Sequence, residues 1–376
     1  MGINIIDHVK IAVALSGGVD SSVSAYLLKR AGHDVFGLFM KNWEEKDQSG
    51  RCLYEKDHED VIRICHTLDI PYYGINLSQS YWDLVFTRFL SEIKLGYTPN
   101  PDILCNQEIK FNVFYQKALS LGADALATGH YCQKKRGQLF KGADSTKDQS
   151  YFLYTIKKQV LENVVFPIGD RFKTDVRTLA QNAGLSVFNK RDSTGICFIG
   201  KRRFKSFLEN YIPQRPGHFH NLKGQVIGSH DGAFYYTIGQ RKGMGIGGAG
   251  NAWFVAKKDI KNNVITLVQG SDHPALFSHE LFATDPSWIL GAPPLLPCAC
   301  KAKIRYRQIE QACVITSIHN KTLHVMFPHP MRAITPRQSI VFYQDTTCLG
   351  GALIERAGPS LWEQSSSCKK HFKGGV

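Results

Sequence analysis

The sequence predicts an α/β protein in which a doubly wound parallel sheet is followed by two small β-rich modules. Up to about residue 130, short apolar runs alternate with helix-patterned segments, as the strands and crossover helices of a parallel sheet covered on both faces do. After Pro213 and Pro216 the texture changes to short β-rich runs broken by Gly, Pro and Asn-Asn turns. At 376 residues the chain also exceeds the size at which one core usually keeps growing, so two or three domains are expected.

The first element is a buried strand, Ile11 to Leu15, which runs into Ser16-Gly17-Gly18-Val19-Asp20-Ser21-Ser22 and then into the helix-patterned Val23 to Leu28. Two glycines let backbone N–H groups converge, and the helix N-terminus beyond them favours negative charge. This is a phosphate cradle, with a nucleoside triphosphate as its guest. A plain Gly-Gly turn capped by Ser and Asp is the bland alternative. The kinase and GTPase cradle ends in Gly-Lys-Ser/Thr, whereas here no lysine follows Gly17 or Gly18 until Lys29.

A strand at Val35 to Met40, a helix from Asp60 to Leu68, a strand at Tyr72 to Leu77 and helices near Tyr81 to Leu95 and Phe111 to Leu121 come next. The run Ala125 to His130 adds a further strand end. Ligands of open sheets gather outside the carboxyl ends of the strands, which puts Met40 and Gly129-His130 beside the nucleotide. Simple packing at a strand end accounts for either position equally well.

Between two of these helices lies Pro99-Asn100-Pro101-Asp102-Ile103-Leu104-Cys105-Asn106. Three residues apart, Asp102 and Cys105 are neighbours on a single turn. If that turn opens the next helix, the dipole favours a Cys105 thiolate and Asp102 can accept and donate a proton. An Asp cap before a buried cysteine fits the same spacing, and a charged Asp102 would raise the thiol pKa. A second cysteine, Cys197, stands in Asp192 to Gly200, just before the basic Lys201-Arg202-Arg203 that would favour a thiolate or a persulfide anion.

Helices continue from Ser150 to about Tyr211, and β-rich runs follow at Phe234 to Ile238, Ala252 to Ala256 and Val264 to Val268. The break Gly291 to Pro297 opens a last β-rich stretch ending at Ile354, and the tail after Gly358 reads as flexible. The predicted domains are 1–212, 213–285 and 286–358, with 359–376 as tail. Gly243 to Gly248 spells G-x-G-x-x-G, but a strand pattern follows where a dinucleotide site needs a helix, so this is a loop.

Lys and Arg outnumber Asp and Glu by 46 to 32, for a formal charge of +14, which points to a polyanionic partner. The clusters are short and spread along the chain, as suits a large folded nucleic acid touched by several domains. Ten scattered cysteines without a C-x-x-C pattern read as reduced cytosolic thiols, with neither a structural zinc nor an iron–sulfur cluster expected. No signal layout and no membrane-length apolar run is present, and a cytoplasmic address is expected.

The loop at Ser16 to Ser21 resembles the SGGxDS loop of the PP-loop ATP pyrophosphatases. Gly37 to Glu45, Pro99 to Phe111, Ala127 to Tyr131, Lys147 to Tyr154, Asp192 to Gly200, Thr237 to Gly248 and Lys303 to Gln308 follow in order. Together these segments closely resemble the bacterial-type tRNA-specific 2-thiouridylases, over almost the whole chain to about Glu355. The resemblance implies a PP-loop domain, a central β-rich domain and a C-terminal β-barrel that grips tRNA. It also implies replacement of the C2 oxygen of the wobble uridine by sulfur in tRNAs for Lys, Glu and Gln, with ATP as substrate, accompanied by Mg2+, adenylating that oxygen.

On the same resemblance Cys197 carries sulfur from an upstream persulfide donor, Cys105 is its catalytic partner and Asp102 the acid and base. Ala14, Leu15, Ser16, Gly17, Gly18, Val19, Asp20, Ser21, Met40 and Gly129 would hold ATP. Asn100, Pro101 and Asp102 would meet the target base, and His130, Lys147, Asp148, Gln149, Arg305, Tyr306 and Gln338 the rest of the tRNA. Arg337 departs from the family, which has a glycine at that turn. A glutamine-dependent amidotransferase or a tRNA lysidine synthetase would share the loop without needing both cysteines. A non-catalytic RNA-binding protein with a relic nucleotide site would explain the charge but not Asp102, Cys105 and Cys197.

Overall fold

The computed structural model describes residues 9–44, 54–192 and 204–365. Its chain opens with strands β1 (Lys10–Leu15), β2 (Asp34–Lys41), β3 (Tyr72–Asn76) and β4 (Ala125–Ala127). A hairpin of β5 (Cys132–Lys135) and β6 (Gln138–Lys141) follows, and then the short β7 (Val164–Val165). The first sheet runs β3-β2-β1-β4-β7 and is parallel throughout. Alternation along its strands feeds two cores: Ala12, Phe36, Leu38 and Leu126 face one, while Val13, Val35, Phe39 and Ala127 face the other. Both faces are therefore covered by helices, as the apolar runs predict. Strand order reverses between β1 and β4, so the switch point of the sheet lies where Leu15 and Ala127 end.

The central module is a four-stranded sheet of β8 (Gly217–His220), β9 (Val226–His230), β10 (Trp253–Asp259) and β11 (Val264–Gln269), in the order β10-β11-β8-β9. The β-rich reading of Phe234 to Ile238 does not hold. Residues Ala233–Tyr235 form one 3-10 turn after Gly232, whose φ of +150° suits glycine. Tyr235 and Tyr236 are buried, and the Tyr235 hydroxyl donates to the Ile212 carbonyl (2.9 Å), so these aromatics serve the core rather than a ladder. The G-x-G-x-x-G segment is a loop leading into β10, as expected.

The last module comprises β12 (Phe277–Trp288), β13 (Cys298–Lys303), β14 (Gln311–His319), β15 (Thr322–Arg332), β16 (Ser339–Gln344) and β17 (Thr347–Ala357). Pairing of β12 with β17 closes the six strands into a barrel around Leu281, Ala302, Ile315, Val325, Phe342 and Ile354. Phe140 and Leu139 of β6 pair with Thr347 and Cys348 of β17, so the hairpin from the first third of the chain extends the barrel sheet. The tail, read as flexible, begins with a folded turn. Ser360 and Glu363 cap it reciprocally, and Ser360 bridges to Ser278.

Three polar clasps join the modules. The Lys258 ammonium donates to the carbonyls of Gly96 (2.5 Å) and Tyr236 (2.6 Å), and burial draws its pKa down to about 8. Arg337 reaches Glu92 at 2.6 Å, and the Gln338 amide donates to the Thr98 carbonyl. Among the described residues no helix is long and apolar enough to cross a membrane.

Candidate active site at the sheet switch point

Ala14 and Leu15 end β1 inside the parallel sheet, paired with Leu38 and Phe39. The chain then turns at Gly17, where φ is +71° and a Cβ would lie 2.6 Å from the Asp57 carbonyl oxygen. Only glycine fits there. The Ser16 N–H donates to Ser21 Oγ (3.2 Å), and the hydroxyls of Ser21 and Ser22 donate back to the Gly18 carbonyl (3.1 and 2.7 Å). Helix Val19–Arg30 begins after Gly18 with no side-chain cap, so its first-turn N–H groups face the loop for an anion to satisfy. Across the switch point a Cβ on Gly129 would sit 2.7 Å from the Ser21 nitrogen, so β4 ends against the loop. Met40 closes β2 half-buried on the adjoining core.

Asp20, on the first turn of that helix, anchors an ionic network. It accepts from Lys173 Nζ with both oxygens (2.7 and 2.8 Å) and from the Tyr131 hydroxyl (2.8 Å). Lys173 also reaches Asp192 at 2.8 Å, and Asp192 accepts further from Lys147 (2.7 Å) and Arg177 (3.0 Å). Burial alone would raise the Asp192 pKa, but the hydrogen bonds from Lys147 and Lys173 outweigh it and bring the value down to about 2. Two residues earlier, Lys190 donates to the Gly17 carbonyl (2.9 Å), to Asp57 (2.7 Å) and to Asp60 (2.6 Å). The segment running into the DSTGICFIG stretch is thus tied to the loop at both residues 190 and 192. Cys197 itself lies outside the described residues.

The Asp102 and Cys105 pair opens a helix, as one of the two sequence readings required, but the cap is different. Asn100, not Asp102, is the N-cap: its side chain accepts from the N–H groups of Asp102 (3.1 Å) and Ile103 (3.4 Å), and Pro101 takes the first helical position. Asp102 then lies on the first turn and Cys105 on the second, where the dipole has weakened. Cys105 is buried and starts a π-wound stretch to Phe114 that continues the same helix. Burial pushes the Asp102 carboxyl above its ordinary range, against a smaller downward pull from Lys110. Lys110 acts on His130 too: burial and then this lysine hold its pKa well below the usual histidine value, so the ring is neutral at pH 7. His130 accepts or donates at Nδ1 to Thr128 (2.8 Å) beside Phe111.

The residues assigned to tRNA fall in two places. Lys147 is on Asp192, while Gln149 holds the Tyr131 backbone through both its N–H and its side-chain oxygen. Asp148 is buried, accepting from Gly142, Ser150 N–H and the Ser150 hydroxyl. Arg305 spans the central module and the barrel, its guanidinium within 2.9 Å of the Ile238 carbonyl and 3.1 Å of that of Ala333. Tyr306 packs against Phe152 with ring centroids 4.3 Å apart and planes tilted by 47°, and the Phe152 carbonyl receives the Asn106 amide beside Cys105. Gln338 holds Thr98, just before Asn100. The fold therefore gathers 98–106, Tyr306 and Gln338 around the helix start, and Ser16–Ser21, Gly129, Lys147 and Asp192 around the loop.

Sequence reading missed Lys110, Tyr131, Lys173 and Lys190. Lys110 and Tyr131 stood inside motifs already singled out, whereas Lys173 and Lys190 carry no local signal. Their importance comes only from what the fold sets beside them.

Residues 9–201 match the family model described as "tRNA methyl transferase HUP domain", 205–269 the "tRNA methyl transferase PRC-barrel domain" and 278–354 the "Aminomethyltransferase beta-barrel domain". The chain is 53% identical over 362 residues to the tRNA-specific 2-thiouridylase of Protochlamydia amoebophila, covering 95% of this chain and 96% of that one. It is 50% identical, with the same coverage, to the 2-thiouridylase of Listeria innocua. Among solved structures the U34-tRNA thiolase NcsA of Methanococcus maripaludis aligns over 56% of this chain and 69% of its own, at 17% identity and a TM-score of 0.37.

Proposed function

The chain belongs to the tRNA-specific 2-thiouridylase family, and we propose that its half-buried Asp102 and buried Cys105, at the helix start that Asn100 caps, carry out the sulfur transfer. Its activity is the ATP-dependent thiolation of a tRNA uridine. The observation that carries the residue assignment is the single helix start that sets a half-buried Asp102 one turn before a buried Cys105.

In the proposed sequence, ATP sits with its phosphates on the loop from Ala14 to Ser21 and its nucleoside between Met40 and Gly129. The wobble uridine of tRNAs for Lys, Glu and Gln leaves its stack and enters beside Asn100, Pro101 and Asp102. Its O2 attacks the α-phosphorus, the bond to the β-phosphate oxygen breaks, and pyrophosphate leaves. The O2 is now bound to AMP and can depart from C2. Cys197 brings sulfur as a persulfide received from an upstream relay. Attack on C2 by that sulfur, directly or after Cys105 displaces it from Cys197, expels AMP together with the former O2. On the direct route the sulfur is first bonded to both C2 and Cys197, and Cys105 then attacks Cys197 Sγ, breaking that S–S bond and freeing the thiocarbonyl; both routes leave Cys105 and Cys197 oxidised to a disulfide, which two electrons from a thiol reductant reset. Asp102, its pKa raised by burial, can hold the proton that moves during these steps. The contacts read for His130, Lys147, Asp148, Gln149, Arg305, Tyr306 and Gln338 would hold the remainder of the tRNA.

Magnesium suits a site whose donors are carboxylate oxygens such as Asp20, and it would ride on the ATP phosphates to offset their charge. The test separates activation from sulfur transfer. Cys197→Ser is expected to release pyrophosphate in a tRNA-dependent single turnover while forming no thiouridine. Loss of pyrophosphate release together with thiolation would contradict the division of roles.

A further inference from the structure

The SGGxDS loop lacks the lysine that kinase-type cradles place beside the β- and γ-phosphates. We infer that Lys173 supplies that charge: it enters the nucleotide site from a helix 153 residues further along the chain and binds the pyrophosphate portion of ATP. This deepens the nucleotide-site reading above and rests on it.

Lys173 is the first residue of helix Lys173–Asn182, and its own N–H donates to Asp144 (3.1 Å), which fixes the backbone from which the side chain departs. The side chain is nine-tenths buried, passes over the Tyr131 ring at 5.7 Å and ends on Asp20 of the loop. Three of its contacts are carboxylate oxygens, two on Asp20 and one on Asp192. In this network the cations Lys147, Lys173 and Arg177 match the carboxylates Asp20, Asp144 and Asp192, beside a helix N-terminus without a side-chain cap. A buried ammonium with a flexible stem can trade one of its two Asp20 bonds for a phosphate oxygen without leaving its place. Lys190 is the other candidate by proximity, but its ammonium is committed to the Gly17 carbonyl and to Asp57 and Asp60.

The bond order of adenylation gives this ammonium a function. As the bond from the α-phosphorus to the bridging oxygen breaks, negative charge accumulates on the departing pyrophosphate, and a cation already fixed beside it lowers the cost of that charge. The role therefore includes contact with the substrate.

Equilibrium binding of ATP, pyrophosphate and AMP to the full chain tests the inference with Lys173→Met and Lys173→Arg. A lost charge-assisted bond corresponds to about tenfold to a hundredfold. Lys173→Met is expected to weaken ATP and pyrophosphate binding by that factor and leave AMP within about twofold, with Lys173→Arg restoring most of the loss. Unchanged pyrophosphate binding, or an equal loss of AMP and pyrophosphate, would overturn it. If wild-type protein bound neither ATP nor AMP, the nucleotide-site reading itself would fail, and the two failures are thus distinct. A second measurement needs no variant. An adenosine polyphosphate bearing a pyridoxal aldehyde on its terminal phosphate, fixed with borohydride, should label Lys173 in wild-type protein and be blocked by pyrophosphate. Labelling confined to other lysines would contradict the assignment.

Discussion

Asp102 illustrates how position changes the chemistry of a single side chain. Asn100 takes over the capping duty, so the carboxylate of Asp102 is not spent on the helix start, and burial then lifts its pKa. A group so placed is protonated at higher pH than an exposed carboxylate. If it serves as base, the acid limb of the thiolation rate falls as pH drops through this raised pKa, above the value near 3.9 of a free aspartate. Asp102→Asn should cost about 10²- to 10⁴-fold in single-turnover thiolation and abolish that limb, as rapid-quench assays across pH would register. A variant with an unaltered pH profile would show that the limb belongs to another group. Asp102 and Cys105 could be singled out in the sequence because their spacing of three residues sets them one turn apart on a helix face. Lys173 was not, because its partners Asp20 and Asp192 lie on other segments and nothing in its neighbours marks it.

At the scale of elements, the turn at Arg337 shows two forces in opposition. Its φ of +67° is the conformation that accounts for the glycine expected at this turn. Holding a non-glycine residue there costs about 1–2 kcal/mol. Against this stands the ion pair to the buried Glu92, a charge-assisted bond of about 1.5–3 kcal/mol that joins the barrel to the α/β domain. Replacing Arg337 with glycine relieves the strain, adds about 0.5–1 kcal/mol of backbone entropy cost and, among the described residues, leaves the Glu92 carboxylate with Arg88 at 3.4 Å. The ion pair outweighs the strain, so Arg337→Gly should destabilise by about 1 kcal/mol in urea unfolding. A stabilised variant would reverse that ordering. The hairpin of β5 and β6 was hidden for a different reason. Its turn, Arg136-Gly137, has positive φ at both residues, yet the surrounding lysines read as a basic cluster rather than as strands. Pairing with β17 of the distant barrel stabilises those strands, and such a partner leaves no mark on local periodicity.

The whole molecule holds two gatherings of residues. The phosphate loop and Asp20 network stand at the switch point, while the helix start at Asn100 is held by Gln338 from the barrel loop and neighbours Tyr306 through Phe152. Arg305 and Lys258 lock the central module between them. This arrangement gives the β modules a place in the fold: their loops complete the surroundings of the helix start at Asn100. The modular order was readable from the change in texture after Pro213, and the strand-loop-helix grammar of the first domain from its apolar runs. The barrel came only with the family resemblance, because its closing pair, β12 with β17, lies far apart in the chain, and the clasps, which join side chains of different modules, were not readable. The central claim is that ATP-activated uridine receives sulfur in this setting. Its most direct test is retardation of wobble-uridine tRNA in a mercury-containing gel after incubation with the protein and a persulfide donor, with and without ATP. A retarded band that requires ATP and disappears in Cys105→Ser is the predicted result; a band formed equally without ATP, or none from folded protein that binds the tRNA, would contradict it.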